Sequence, residues 1–396
     1  MSTLNVEGIK NTAATSDTIT FATDGTCTAK VTNNQSNRNL VINGAMQCAQ
    51  YGVSSGSSGF KTVDRFAYYA TGLNAAVTVT QADVASGTTP YTLGFRKSHK
   101  IANGAQTGPD AGDYIYFSHK IEAQDMATSG WNYTSTSSYV TLSFWIKSSV
   151  AQNFYGYLKT SDGTSQNYPF ETGALSANTW TKITKTIPGH ANLQFDMDNN
   201  MGVEIVITPF FGTDKTGSIS LNAWGAWSSS NRLPDMTSTW FTTNGATFEY
   251  TGVQLTVTDY CPDFPHSSYA DELIRCQRYC CQLPPRTATQ GTRQSTIGKL
   301  QAYSTTALFG HIANFPVEMR TAPTATTVGT IRVSDKNGSN WREGSSGLVA
   351  NHLTKTSCGT GGWTFASTHF IAGGCATMDC SYNSSNDNYL QFSAEM

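Results

Sequence analysis

Along most of this chain apolar and polar residues alternate with a period of two, and apolar residues at helical spacing are rare. The run VTLSFWIKS at 140–148 sends Val140, Leu142, Phe144 and Ile146 to one side, the pattern of an antiparallel strand with one buried face. Similar patterning predicts further strands at 39–42, 76–81, 113–120, 154–159, 181–187, 202–210, 217–227 and 246–257. Clusters of Gly, Asn, Asp and Ser punctuate them at fairly even spacing. About nine strands with no convincing helix between them predict an all-β fold, a two-sheet β-sandwich of the jelly-roll kind.

One helix stands out. Ser267 or Ser268 caps a run over 269–281, with Asp271 and Glu272 in its first turn and Pro284-Pro285 as its stop. Leu273, Cys276 or Gln277, Cys280 and Cys281 recur at three- and four-residue spacing, so one face is buried. The expected organisation is an N-terminal module over 1–38, the sandwich over 39–268, a bridging helix over 269–284 and a C-terminal β domain over 285–396. The first module reads as a hairpin, strands 17–21 and 27–31 around the turn Ala22 to Gly25. It is too small to bury a core alone, so it packs on copies of itself, the next domain or a larger assembly. Further strands are expected at 307–313, 317–319, 327–333, 348–353, 365–371 and 389–392.

Composition narrows the setting. Charged residues are only 13% of the chain and aromatics 11%; the first is about half the usual share, and the second argues against disorder. With a net charge of −2 and no basic stripe, nucleic-acid binding is not expected. No stretch is apolar enough to insert into a membrane, and the first ten residues lack a signal-peptide pattern. Nine cysteines, an odd number in a long chain, imply no disulfide framework; they read as buried thiols made in a reducing cytosol. The cluster Cys276, Cys280, Cys281 lacks the spacing of a zinc site. No metal or cofactor is expected. The segment DMDNNMG, with Asp196, Asp198 and Asn200, lacks the glycine and distal glutamate of a calcium loop and reads as a turn.

Several segments, in order, resemble a known class. Asn39 to Gln50 reads NLVINGAMQCAQ, Thr62 to Phe66 TVDRF, Phe248 to Leu255 FEYTGVQL and Glu272 to Tyr279 ELIRCQRY. Together they resemble tail-fibre and virion structural proteins of tailed phages that carry a carbohydrate-binding-module-like jelly roll. TLSFWIK at 141–147 and WTKITKTI at 180–187 are similar to that module's central strands, and FPVEMRTAP at 315–323 to the start of the small β domain that follows it. The N-terminal hairpin resembles short modules of marine cyanophage structural proteins. The likeness covers about 39 to 325; it departs at Phe66, commonly Trp, and at Thr256, commonly acidic. It implies a virion location, display and adhesion, without naming a ligand.

Sugar recognition needs flat aromatic faces with polar groups beside them. Trp131 and Tyr133 lie in a loop-like stretch, and Trp224, Trp227 and Trp240 bracket the loop SSSNRLPDMTST. These five are the glycan-contact candidates; the alternative for each is packing within or at the edge of the sandwich. Tyr51, Tyr68 and Tyr69 read as structural. Asp64-Arg65 reads as an ion pair locking the N-terminal segment to the sandwich, and Arg275 and Arg278 as a solvated or interface face. No nucleophile elbow, metalloprotease helix or phosphate loop is present, so no catalytic residue is assigned. The expectation is a non-enzymatic virion appendage that recognises a host-surface glycan. It would contact other virion proteins through its N-terminal module and associate as a homotrimer. The alternatives are a capsid decoration or tail-assembly protein without glycan affinity, and a glycan depolymerase.

Overall fold

The computed structural model describes residues 6–10, 12, 19–21, 23, 27–29, 39–284, 296–329, 331–335, 341–343, 352–364, 370–380 and 388–396. Near the N-terminus β1 (Gly8–Ile9), β2 (Ile19–Phe21) and β3 (Cys27–Ala29) form a small antiparallel sheet, with Phe21 opposite Cys27 as the hairpin reading expects.

The centre is a β-sandwich. Its strands are β4 (Ser54–Ser55), β5 (Phe66–Thr71), β6 (Thr78–Asp83), β7 (Lys97–Ala102), β8 (Tyr114–Glu122), β9 (Tyr139–Ser148), β10 (Asn153–Thr160), β11 (Gln166–Ala174), β12 (Thr181–Pro188), β13 (Met201–Phe211), β14 (Gly225–Ala226) and β15 (Thr247–Thr256). They divide into two antiparallel six-stranded sheets, β14-β11-β10-β13-β8-β5 and β12-β9-β15-β7-β6-β4. The inward side chains meet in one core: Phe117, Phe154, Ile205 and Phe170 from the first sheet, Phe144, Ile146, Phe248 and Tyr250 from the second. Short helices α1 (Thr89–Thr92), α2 (Ala123–Ala127) and α3 (Thr239–Thr242) sit at its ends.

Helix α4 (Tyr269–Gln277) begins as expected, with Ser268 accepting from the Asp271 amide. It ends earlier than the sequence pattern suggests. The chain turns at Arg278 and continues as β16 (Cys280–Leu283), which pairs with β25 (Tyr389–Ser393). The partner strand lies more than a hundred residues away, so local periodicity carries no sign of it. Strand β25 also pairs with β19 (Thr324–Val328). A seven-stranded sheet follows, β21-β20-β24-β17-β18-β23-β22, built from β17 (Thr296–Ala302), β18 (Ala307–Asn314), β20 (Ile331–Asp335), β21 (Trp341–Glu343), β22 (His352–Leu353), β23 (Ser357–Thr364) and β24 (Cys375–Cys380). Leu300, Leu308, Met378 and Phe392 unite both C-terminal sheets in a second core.

Four expected strands differ. Residues 39–42 contain no strand and lead into a turn, 317–319 include a bend, 217–227 form a loop containing only the two-residue β14, and 327–333 is divided by a bend at Gly329 between the end of β19 and the start of β20. Of the expected strand at 365–371, residues 365–369 lie outside the described residues, and 370–371 are not strand.

The segments NLVINGAMQCAQ, TVDRF and ELIRCQRY converge on a buried polar junction that ties the sandwich to α4, β16 and β25. Asn43, held at φ 60, donates to the carbonyls of Cys48 and Asp64, while its own amide donates to Glu272. Asp64 and Arg65 do not pair with each other, contrary to the sequence reading. Asp64 accepts from the Gln50 amide at 2.7 Å and Gln50 Nε2 at 2.8 Å. Arg65 pairs with Glu395, donates to the Lys120 carbonyl and lies 3.4 Å from the centre of the Tyr279 ring. Arg278 grips Glu122 through two bonds of 2.7 Å, and Tyr279 donates a third to it at 2.6 Å. An unpartnered charge in such a place would cost several kcal/mol, so this network fixes one geometry for the join.

Candidate functional site

The five sequence candidates do not form one exposed patch. Trp240 is 0% and Trp131 4% exposed, both in the sandwich core. Trp240 donates to the Thr247 carbonyl, Trp131 to that of Ser138. An indole with its faces covered cannot stack on a sugar, so these two assignments are corrected. Each lies in a polar stretch that disguises its burial: α3 tucks Trp240 beneath the sandwich end, and the 132–138 turn folds over Trp131. Tyr133 is half-buried against Phe195, with ring centroids 4.9 Å apart. Trp224 is half-buried, donating to the Pro188 carbonyl. Trp227 is also half-buried but lies on the outer face of the first sheet, where a different aromatic surface appears.

That face follows from strand alternation. In β8, Ile115, Phe117 and Ile121 enter the core, so Tyr114, Tyr116, Ser118 and Lys120 point outward. In β10, Phe154 and Leu158 enter it, leaving Tyr155, Tyr157 and Lys159 outward. In β13 a bulge between Ile207 and Phe210 resets the alternation, which keeps Phe210 inside and brings Phe211 out beside Tyr114. Pro209 sits in that bulge, where a missing N–H is tolerated. Tyr69 on β5 pairs across with Tyr116. The sequence marks Tyr69 as structural, whereas its ring joins this surface beside Tyr116.

The rings form a connected series. Tyr69 and Tyr116 are 5.2 Å apart, Tyr116 and Tyr114 5.5 Å, and Phe211 packs edge-on against both tyrosines of β8. Tyr157 contacts Trp227 at 5.3 Å, and that indole carries Lys159 at 4.8 Å and Arg232 at 5.1 Å from its ring centre. The loop spanning 213–236 lies over Tyr157, Val206 and Phe211, anchored by buried Leu233 and by the Asn167 amide bonding the Arg232 carbonyl. It leaves Tyr69, Tyr114, Tyr116 and Tyr155 half-buried, with no side-chain hydrogen bond to their hydroxyls among the described residues.

One row of charge borders the tyrosines. Lys159, Glu204 and Lys120 are directly opposite one another on β10, β13 and β8. Glu204 accepts from Ser118 at 2.6 Å, and Lys120 donates to the Met396 carbonyl oxygen. Burial, with Glu204 adding to it, pushes the Tyr116 and Tyr69 hydroxyls above the usual phenol range, so both remain protonated donors. Burial lowers Lys120, partly countered by Glu204. The surface therefore offers apolar ring faces, neutral hydroxyl donors and one row of fixed charges, the chemistry that holds a polyhydroxylated ring.

A second carboxylate on the face, Glu171, is opposite Tyr155, which is in turn opposite Thr208. It stands two strands across and four residues along from Glu204, about 16 Å away by strand geometry. Glycoside cleavage uses carboxyl groups about 5 to 9 Å apart. Elsewhere, among the described residues no group of three or more His, Cys, Asp or Glu forms a metal-holding cluster. Residues 196–200 form a turn before β13, with Asp198 accepting from Asn200. Cys48, Cys276, Cys280, Cys281 and Cys358 are buried and free of disulfides. Among the described residues no helix is long and apolar enough to cross a membrane.

No protein-family model matches the chain, and no curated protein sequence does. Among solved structures, the enzymatically active domain of tailspike protein 4 from bacteriophage CBA120 is similar over 56% of this chain at 13% identity, with a TM-score of 0.30. This chain spans 22% of that one. The N-terminal cellulose-binding domain of a Cellulomonas fimi β-1,4-glucanase is covered completely by 54% of this chain, at 10% identity and a TM-score of 0.27. A family 11 carbohydrate-binding module from Clostridium thermocellum is covered to 95% by 52% of this chain, at 14% identity and a TM-score of 0.24. At these values the likeness establishes no shared family.

Proposed function

We propose that this chain is a non-catalytic adhesive protein of a phage virion, and that the tyrosine-lined outer face of the first sandwich sheet binds a host-surface glycan. The observation that carries the glycan reading is the juxtaposition of half-buried Tyr69, Tyr114, Tyr116 and Tyr155 with the Lys159–Glu204–Lys120 row. Stacking supplies affinity, and the hydroxyl and charged groups supply orientation. The virion setting draws its support from the motif order in the sequence and from the charge-poor, Ser-, Thr- and Asn-rich composition. On this reading the N-terminal module docks to other virion proteins and the protein is a homotrimer. Weak individual sites would then act together at high effective concentration.

Affinity electrophoresis of the full chain through gels containing soluble bacterial surface polysaccharides tests the reading. Retardation of the native protein and its loss in Tyr116→Ala are expected. Absence of retardation by every polysaccharide, or equal retardation of the combined Tyr69, Tyr114 and Tyr116 alanine variant, would overturn it. A capsid decoration role is favoured instead if the tyrosine face is covered when the protein is assembled on a phage head.

A further inference from the structure

The outer face of the C-terminal seven-stranded sheet holds a cavity of about 490 Å³ that the sandwich reading does not use. Its construction follows from strand register. His311 on β18 and His352 on β22 are both directly opposite Gly359 on β23. Three residues in one row share one face of the sheet. The two imidazoles are thus about 10 Å apart at the backbone, with no side chain between them. The slot has a glycine floor and histidine walls. Gly359 is close-set as well as small, since a Cβ there would lie 2.9 Å from the Gly310 carbonyl oxygen.

An aromatic pair stands at one end. Tyr303, just beyond β17, is 57% exposed and Phe309 on β18 is 40% exposed, their rings 5.9 Å apart and edge to face. Both are large apolar side chains left exposed, and they lie side by side in one cavity. Thr354 closes its rim, its hydroxyl holding the local turn by accepting from the Thr356 and Ser357 amides. His311 Nε2 is 3.0 Å from Asn314 Oδ1, which orients the ring and leaves Nδ1 as an acceptor. Among the described residues, no Asp, Glu, Lys or Arg lines the cavity.

We propose that this slot is a second sugar-binding site, taking a terminal pyranose of a neutral glycan. The sugar's apolar face rests on Tyr303 and Phe309, and its hydroxyls bond His311 and His352. The uncharged lining disfavours ionic ligands, whose desolvation no partner would offset. The volume falls within the range of small-ligand pockets. The site is independent of the sandwich face and stands whether or not that face binds glycan.

The test uses the full chain labelled with ¹⁵N at histidine. Its seven imidazoles are assigned through His311→Gln and His352→Gln and titrated with methyl glucoside, galactoside, mannoside and N-acetylglucosaminide. At least one of these sugars should shift His311 and His352 while leaving buried His99 unmoved, and Phe309→Ala should weaken the response about tenfold. Tyr116→Ala on the sandwich should leave it unchanged. The proposal is overturned if none of the four sugars moves either imidazole. It is equally overturned if Phe309→Ala, shown folded by native free-state His311 and His352 resonances, responds as the native chain does.

Discussion

Replacing His99 with glutamine isolates the cost of keeping a buried imidazole neutral. His99 is fully buried on β7, with Nε2 2.9 Å from Thr62 Oγ1, Nδ1 2.8 Å from the Tyr250 hydroxyl and its ring against Phe117. Burial pushes its pKa down to about 3, from a reference value of 6.5. In the unfolded chain the ring takes up a proton as pH falls through about 6.5, whereas in the folded chain it does so only near the lower value. Between them the unfolded state holds the extra proton, so this residue's share of stability is full above 6.5 and is lost as pH falls toward 3. The slope approaches about 1.4 kcal/mol per pH unit, which accumulates to about 2 kcal/mol between pH ~7.5 and ~5.

His119 and Asp64 are among the other groups that titrate in the same window. Burial, assisted by Arg65, drives His119 in the same direction. Burial pushes Asp64 up to about 7, against the bonds from Gln50. Its contribution therefore has the opposite sign: it is present below its unfolded value of 3.8 and lost as pH rises through 7. Both groups act equally in the native and variant chains and cancel in the comparison. Urea unfolding of each at the two pH values, followed by tryptophan fluorescence, gives the double difference. His99→Gln loses ring packing and is less stable at both, but its loss on acidification should be smaller by about 2 kcal/mol. Equal pH dependence in the two proteins would refute a neutral buried imidazole at this position.

Trp131→Ala and Trp240→Ala should each destabilise the sandwich by about 3–5 kcal/mol, seen as lower urea midpoints. If either is as stable as the native chain, its placement in the core is wrong. Arg65→Met strands the Glu395 carboxylate at the junction and should cost about 3–5 kcal/mol. Adding Glu395→Gln should recover part of that loss, and a strictly additive double variant would show that the two charges are not coupled.

How much of this was legible in the sequence depended on where the decisive contacts lay. Strands β8, β9, β10, β12, β13 and β15 each send alternate apolar residues into the sandwich core, and their patterns gave them away. Strand β7, KSHKIA, carries charge at its start and a histidine in the core, so its pattern is weak; β11 contains Pro169, an ordinary argument against a strand. The glycan candidates were drawn from tryptophans in polar surroundings, a signal that does not distinguish a loop tip from a loop folded over its own aromatic. Trp240 and Trp131 are the second kind. The tyrosines of β8 were visible as alternate residues of YIYFSHK. Their face becomes a site only when β5 and β10 are set beside them, and that register is fixed by contacts distant in sequence. The motif residues Asn43, Asp64, Arg65 and Glu272 were recognisable as a pattern, while their role in the junction depended on Glu395 at the far end of the chain.

Whether glycan meets the tyrosine face is decided by fluorine NMR of the full chain carrying 3-fluorotyrosine at its eighteen tyrosines. Resonances of Tyr69, Tyr114, Tyr116 and Tyr155, assigned by substitution to phenylalanine, should move on addition of a bacterial surface polysaccharide that the protein retains, while that of core Tyr250 stays in place. A polysaccharide that binds the protein yet leaves those four resonances unmoved would contradict the claim.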